Sequence, residues 1–452
     1  MILKSINPYN NELIREFEEF TEEKTESILK ESAAAYATWR QTDFEARSKM
    51  MRIAAEVLRS KTREYAVVIT SEMGKTIRES EAEIQKCAWV CDYYAENAAG
   101  FLKDDVVVTD AEKSFVRYEP LGTILGIMPW NFPFWQAFRF IVPALMAGNT
   151  VLLKHASNVQ ICAEKIEEVL TRAGFPTSVF RNLVLGSTSI GRIIDNEVIK
   201  AISLTGSEAA GQKVAEAAGR ALKKCVLELG GSNAFIVLGD ADLDKAVETG
   251  IKSRFQNAGQ SCIAAKRFII DRKISDRFIE MFTLAAGKLK TGDPMREDTE
   301  MGPLSSPQQA EMVIDQIERS VAMGAIVNTG GKREAAFITP AVVTSVKPGM
   351  PLFDEEVFGP VAPVIIAEDI DHAIELAGDT RFGLGITVFT SDIAKAEELA
   401  VRFHDGAVFI NGLVKSDPRV PFGGTRKSGY GRELSIHGIR EFVNVKTVWI
   451  DK

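Results

Sequence analysis

Histidine is scarce in this chain: His155, His372, His404 and His437 are the only four in 452 residues, widely scattered and without metal-ligand spacing. That scarcity argues against zinc chemistry. Cysteine is almost as sparse. Cys87, Cys91, Cys162, Cys225 and Cys262 make an odd set in a long chain, the usage of a reducing compartment rather than of a disulfide scaffold. A cytoplasmic setting is expected. No secretory leader is expected either, because the opening Met-Ile-Leu-Lys-Ser lacks a basic region followed by an apolar stretch. No apolar run approaches the roughly 18–20 residues that a membrane helix needs. Basic stripes, low-complexity tracts and internal repeats are missing too. The net charge of −8 is spread over interspersed acids and bases, so neither nucleic acid nor a membrane is an expected partner. The acidic balance mainly favours solubility.

What is present is ordinary globular composition, with 46% hydrophobic and 26% charged residues. Single cores stop growing near roughly 250–300 residues, so a chain of this length predicts two large lobes. Helical periodicity covers the first hundred residues, over 22–40, 45–62 and 63–97 with a break at Gly74. Cys87 and Cys91 fall four apart on one helical face; a redox pair is conceivable there, but burial as small hydrophobes is the expectation. A hairpin follows, with strands at 106–108 and 115–118 and a turn near 110–113. The pattern then changes to short apolar strands alternating with helices. Strands are expected at 123–128, 150–154, 182–186, 201–205 and 225–229, the signature of a parallel sheet covered on both faces. A second α/β set has strands at 234–238 and 266–270, helices at 242–256 and 276–290, and further elements to about residue 409. The chain closes on an alternating strand over 443–450 with no partner nearby in sequence. Such a strand commonly joins a neighbour's sheet, so an oligomer is expected.

Ligands of parallel α/β sheets bind at the carboxyl ends of the strands, and four segments there carry chemistry. Asn257-Ala258-Gly259-Gln260-Ser261-Cys262 is a polar loop after an amphipathic helix. A solitary cysteine is ordinarily core, but this context fits burial as a plain hydrophobe poorly. A thiolate is a strong nucleophile toward carbonyl carbon, and loops on rigid elements commonly carry such groups. Glu228, in Leu227-Glu228-Leu229-Gly230-Gly231, stands in an apolar strand end where burying a carboxyl is expensive. Burial would raise its pKa and suit a general base; a structural carboxylate tied to backbone donors at the glycine pair is an equal alternative. Asn131 is clamped between prolines in Met128-Pro129-Trp130-Asn131-Phe132-Pro133. Its amide is a ready donor to an oxyanion, or else to its own turn backbone. Leu204-Thr205-Gly206-Ser207 turns a strand into a helix whose first amides could hold a pyrophosphate, although it does not match Gly-x-Gly-x-x-Gly.

Together with Glu355-Glu356-Val357-Phe358-Gly359-Pro360 and Pro421-Phe422-Gly423-Gly424, these strings stand in the order and approximate spacing of the aldehyde dehydrogenase superfamily, which the chain resembles over nearly its whole length. The resemblance implies an α/β fold of two Rossmann-like lobes with a β oligomerisation arm. A dinucleotide-binding domain is expected over 1–103 and 122–228, a catalytic domain over 229–430, and the arm over 104–121 and 431–452. It implies that Cys262 is the nucleophile, Glu228 the base, and Asn131 the side-chain half of an oxyanion hole completed by the Cys262 N–H. Lys154 and Glu356 would hold the two riboses, Ser207 the pyrophosphate, and Phe358 would pack by the nicotinamide ribose. Trp130, Ser157, Gly206 and Leu229 complete the expected cofactor contacts. NAD-preferring members usually carry a Glu three residues after the strand lysine; here that residue is Ser157. Beside Lys154 a serine would accept a 2′-phosphate that a carboxylate would repel, so NADP is favoured, with NAD usable.

The same resemblance points to the compact bacterial succinate-semialdehyde dehydrogenases. Arg139, eight residues beyond Asn131, is either an ordinary salt-bridged arginine or an anchor for a substrate carboxylate. Trp135, Gln136 and Ser416 are the other expected substrate contacts. A second arginine of that group is Gln256 here, with Arg254 nearby. Position 264 is alanine, which excludes a regulatory disulfide to a cysteine two residues past Cys262. The expected activity is oxidation of succinate semialdehyde by a homodimer or homotetramer. The alternatives are another small aliphatic aldehyde, an acylating relative that passes its thioester to coenzyme A, or a binding protein that keeps the fold without activity. The presence of Glu228 favours hydrolysis over acyl transfer, and retention of both Cys262 and Glu228 favours an enzyme.

Overall fold

The computed structural model describes residues 2–452. Its first elements are a hairpin, β1 Ile2–Ile6 and β2 Leu13–Glu18, where the sequence reading expects only helices. Leu3 and Ser5 point inward from β1, but so short an alternation carries too little periodicity to be recognised. Four helices follow: α1 Glu22–Trp39, α2 Phe44–Ser60, α3 Thr62–Met73 and α4 Ile77–Phe101. Thr21, Asp43 and Thr76 cap α1, α2 and α4 by accepting a first-turn amide, and Thr76 closes a capping box with Glu79. The expected break at Gly74 is present, with a φ of 82° that ends α3. Cys87 and Cys91 are both buried in α4, and burial pushes both thiols well above the usual range.

A second hairpin consists of β3 Asp105–Val106 and β4 Lys113–Pro120. Then come β5 Thr123–Met128, α5 Pro133–Met146, β6 Thr150–His155, α6 Gln160–Arg172, β7 Phe180–Asn182, α7 Ile190–Asp195, β8 Ile199–Thr205, α8 Glu208–Arg220 and β9 Lys224–Glu228. The strand expected at 182–186 is thus shorter and earlier. The apolar residues after it are buried by other contacts, Val184 against Leu3 and Phe17 of the opening hairpin.

The second half holds β10 Asn233–Val237, α9 Leu243–Phe255, β11 Ala265–Asp271, α10 Ser275–Gly287, α11 Pro307–Ala322 and β12 Ile326–Thr329. A small hairpin of β13 Arg333–Glu334 and β14 Phe337–Ile338 leads to β15 Ala341–Thr344, α12 Pro351–Asp354, β16 Val361–Ala367 and α13 Ile370–Gly378. The chain ends with β17 Ile386–Phe389, α14 Ile393–Ala400, β18 Val408–Ile410, β19 Gly429–Tyr430, α15 Ser435–Glu441 and β20 Val443–Ile450.

Two sheets organise these elements. The first runs β19-β9-β8-β5-β6-β7, with β5 to β9 parallel and β19 added antiparallel at the edge. Chain order reverses direction on either side of β5, so the crevice between the ends of β5 and β8 is the topological switch point. The second runs β12-β15-β16-β11-β10-β17-β18, parallel except for β12. Helix α5 is buried along its whole length, which is why its sequence is apolar all round rather than on one stripe. The terminal strand corrects one expectation. β20 has a partner in its own chain, pairing antiparallel with β4 along its full length. The two are distant in sequence, so local reading could not connect them. No helix among the described residues is long and apolar enough to cross a membrane, and no cluster of potential metal ligands occurs among them.

Candidate active site

The loop after α9 has an unusual backbone. Asn257, Ala258 and Gly259 follow one another with φ of 51°, 50° and 75°, the left-handed region that costs ordinary residues roughly 1–2 kcal/mol each. Their surroundings hold them there. The Asn257 amide donates to the Glu79 carboxylate at 2.7 Å, and its Nδ2 donates to Asn131 O at 2.8 Å and Gln260 O at 3.2 Å. Gln260 Nε2 donates to Asn257 O at 3.1 Å, while its Oε1 accepts the Ser305 amide at 2.9 Å. Only glycine fits at 259, since a Cβ there would lie 2.2 Å from Gly359 O and 2.4 Å from Arg254 Nη2. Arg254 itself is fully buried and donates to Ala265 O, Gly259 O and Val357 O at 3.0, 2.9 and 3.2 Å, and to Gly359 O. It is a strut beneath the loop. It does not stand in for the arginine replaced by Gln256, which lines the cavity described below.

This framework presents Cys262, half-buried, two residues beyond the Gln260 carbonyl that Asn131 holds. One hydrogen of Asn131 Nδ2 goes to Gln260 O at 3.0 Å; no acceptor among the described residues takes the other. Burial pushes the Cys262 thiol up to about 11, opposed by the nearby cations Arg139 and Lys266. Glu228 ends β9, is buried, and has no hydrogen-bond partner for either carboxylate oxygen. The alternative of a carboxylate tied to glycine amides therefore does not hold. Burial, and then the neighbouring Glu433, raise its pKa well above the usual range, with Arg139 and Arg432 opposing. Glu433 is ion-paired with Arg139 and accepts Ser203 Oγ at 3.3 Å.

Cys262 opens into a cavity of about 560 Å³ whose wall includes Trp135, Gln136, Arg139 and Ser416, all four expected from sequence. Arg139 reaches this wall, but its guanidinium turns to Glu433 and lies 4.6 Å above the Phe422 ring centroid. That is the salt-bridged arrangement which the sequence left as one of two options. Sequence reasoning missed Lys86 on the same wall, and Glu433 behind it.

Most of the expected cofactor residues stand at or just after the carboxyl ends of β5, β6, β8 and β9. Lys154, next to last in β6, is buried, its ammonium pulled down by desolvation, and half-buried Ser157 follows in the turn. Gly206 precedes the exposed Ser207, which caps α8 by accepting the Ala210 amide at 3.3 Å. Trp130 and Phe358 meet edge to face, 5.9 Å apart. Leu229 packs against α8 at Gly211. Glu356 accepts the Gly231 amide at 3.0 Å and pairs with Lys266, a buried ammonium that also donates to Gly231 O at 2.7 Å. It lies so close to Gly230 that a Cβ there would meet Oε2 at 2.2 Å. An ammonium, two hydroxyls, the first-turn amides of α8 and two aromatic faces make a donor set suited to a phosphorylated dinucleotide. Lys266 could have been noticed, because a lysine inside the apolar run Ala264–Asp271 is costly to bury without a task.

The model of the aldehyde dehydrogenase family matches residues 2–448. The chain belongs to that family. Among relatives of this aldehyde dehydrogenase, a probable NADP(+) succinate-semialdehyde dehydrogenase of Synechocystis sp. is 45% identical over 453 residues, covering 100% of both chains. The NAD(P)+ succinate semialdehyde dehydrogenase Sad of Escherichia coli is 45% identical over 451 residues, 99% of this chain and 98% of its own. The crystal structure of succinic semialdehyde dehydrogenase from Streptococcus pyogenes in complex with NADP+ superposes with a TM-score of 0.97 at 37% identity, covering 100% of each chain.

Proposed function

We propose that this aldehyde dehydrogenase oxidises succinate semialdehyde to succinate, using NADP in preference to NAD. Full-length identity to enzymes of that name supports the substrate. The observation that carries the chemistry is a convergence: Cys262 on the cavity wall, Asn131 tied to the Gln260 carbonyl two residues before it, and the unbonded Glu228 carboxyl close enough to act on the thiol. Cys262 gives up its proton to solvent water and its sulfur attacks the aldehyde carbon, pushing the carbonyl electrons onto oxygen. The resulting oxyanion takes hydrogen bonds from Asn131 Nδ2 and the Cys262 amide. The dinucleotide, when bound, supplies the acceptor for the hydride that leaves this carbon. Glu228 then draws a proton from water as its oxygen attacks the Cys262 thioester, and sulfur departs to reclaim a proton. The raised pKa of Glu228 makes it a stronger base for that step.

Lys154, Ser157 and Ser207 bind the phosphates and a ribose, and Glu356 turns to the other ribose. Trp130, Phe358, Gly206 and Leu229 shape the groove around them. Trp135, Gln136, Arg139 and Ser416 surround the substrate. Residues 1–103 and 122–228 form the dinucleotide-binding domain, 229–430 the catalytic domain, and 104–121 with 431–452 an arm for a homodimer or homotetramer, in a cytoplasmic enzyme. The open edge of β20, with Val445, Trp449 and Ile450 exposed, supports the last assignment. The test is reduction of NADP and of NAD by succinate semialdehyde, with and without coenzyme A, in the native protein and in Cys262→Ala. Reduction that needs neither coenzyme A nor any other acyl acceptor, and that is abolished in the variant, is expected. Turnover surviving in Cys262→Ala would overturn the assignment.

A further inference from the structure

Six charged side chains border the cavity above Cys262: Glu79, Glu83, Lys86, Arg139, Lys252 and Lys415. Three are already engaged. Glu79 accepts the Asn257 amide and Thr76 Oγ1. Glu83 pairs with Lys75 and accepts the Phe134 and Trp135 amides, each at 2.9 Å. Arg139 pairs with Glu433. Lys252 and Lys415 are exposed. That leaves Lys86, half-buried on α4, as the cation inside the cavity without a carboxylate. Among the described residues, no acidic oxygen lies within 4.0 Å of its Nζ. Nζ instead donates to Ser416 Oγ at 2.8 Å and lies 4.1 Å above the Trp135 ring centroid.

Ser416 completes the picture. Its oxygen also accepts Trp135 Nε1 at 3.0 Å, so both of its lone pairs are occupied and its own hydrogen remains to be donated. An ammonium and a hydroxyl, both with hydrogens to give, therefore stand together in a cavity that the rings of Phe132, Trp135 and Phe422 also line. Rings beside an uncompensated donor pair suit an aliphatic chain that ends in an anion.

We propose that Lys86, backed by Ser416, binds the carboxylate of a short ω-carboxy aldehyde whose carbonyl meets Cys262. The proposal deepens the dehydrogenase reading above and rests on it. It assigns to Lys86 the charge that Gln256 lacks and that Arg139 gives to Glu433. Desolvation first, and then Arg139, hold the Lys86 ammonium down at about 8, with Glu83 and Asp417 opposing. A cation held low in this way is short of counter-charge, and a bound carboxylate supplies it.

The test compares Lys86→Met and Lys86→Arg with the native full-length protein on two aldehydes of equal length, succinate semialdehyde and butanal. In Lys86→Met the ratio of kcat/KM for succinate semialdehyde to that for butanal should fall about 10- to 100-fold, the span of a lost charge-assisted hydrogen bond. The change should lie in KM, and Lys86→Arg should restore most of it. A second readout needs no turnover: succinate should slow alkylation of Cys262 by iodoacetamide in the native protein and not in Lys86→Met. An unchanged ratio, or protection by succinate that persists in Lys86→Met, would overturn the role of Lys86 while leaving the dehydrogenase reading intact. If the native protein oxidised neither aldehyde, the dehydrogenase reading would fall, and the alkylation result would still decide whether Lys86 holds a carboxylate.

Discussion

Replacing Arg139 with methionine separates two tasks that a pocket arginine can perform. If its guanidinium holds Glu433, the variant leaves a carboxylate that is 3% exposed without its cation. Removing one member of a buried pair typically costs about 3–5 kcal/mol. Burial already raises the pKa of Glu433, so near neutral pH it can escape by taking up a proton, which argues for the lower end, about 3 kcal/mol. For a cooperative unit of about 150–250 residues, each kcal/mol moves the midpoint by roughly 2–4 °C. Thermal inactivation should therefore shift down on the order of 10 °C. The double variant Arg139→Met/Glu433→Gln removes both charges and should recover most of that loss. Activity in Arg139→Met should fall by a similar factor on succinate semialdehyde and butanal, because the damage sits behind Glu228. The assay is the inactivation midpoint of the three proteins together with kcat/KM on both aldehydes. An unmoved midpoint, with a KM penalty confined to succinate semialdehyde, would refute this reasoning and return Arg139 to direct carboxylate binding.

Other variants probe the remaining groups. Asn131→Ala should lower kcat by about 10²–10³, the usual loss for one oxyanion donor of about 3 kcal/mol; a fall of less than tenfold would remove Asn131 from that role. The Cys262 thiol stands at about 11, so its thiolate fraction grows as pH rises toward that value. Alkylation of the dinucleotide-free protein should accelerate about tenfold per pH unit between about pH 7 and 10, and a plateau below pH 9 would contradict the burial argument. Ser157→Glu sets a carboxylate against a 2′-phosphate, a repulsion of about 2–3 kcal/mol at a partly exposed site. The kcat/KM ratio of NADP to NAD should drop about 100-fold, and a ratio that stays put would place the 2′-phosphate elsewhere.

The α/β alternation of both halves was legible because buried parallel strands are short apolar runs and the helices between them are amphipathic. The breaker Gly74 made one helix end readable as well. The opening hairpin was not, since its strands are brief and polar on one side. Nor was the pairing of β20 with β4, which joins residues more than three hundred positions apart. At the site, Cys262, Glu228 and Asn131 stood out because each contradicts its local pattern: a thiol in a polar loop, an acid in an apolar strand, an amide between prolines. Lys86 and Glu433 contradict nothing locally. Lys86 is one of many charges on a long helix, and Glu433 follows a glycine turn like any surface acid. Their importance arises only when α4, α5 and the last turn before α15 converge. Arg139 shows the same limit from the other side, because sequence could place it near the substrate but could not say which anion it would face.

The side-chain amides of Asn131 and Asn257 have a further consequence. Asn131 grips the carbonyl of Gln260 while Asn257 grips the carbonyl of Asn131, so the seam between the two halves of the molecule runs through the reacting centre itself. Prising the halves apart would break both bonds and part Asn131 from the Cys262 loop. The turn that carries Asn131 and the loop that carries Cys262 are thus held in one relation by backbone carbonyls of the loop and the turn themselves.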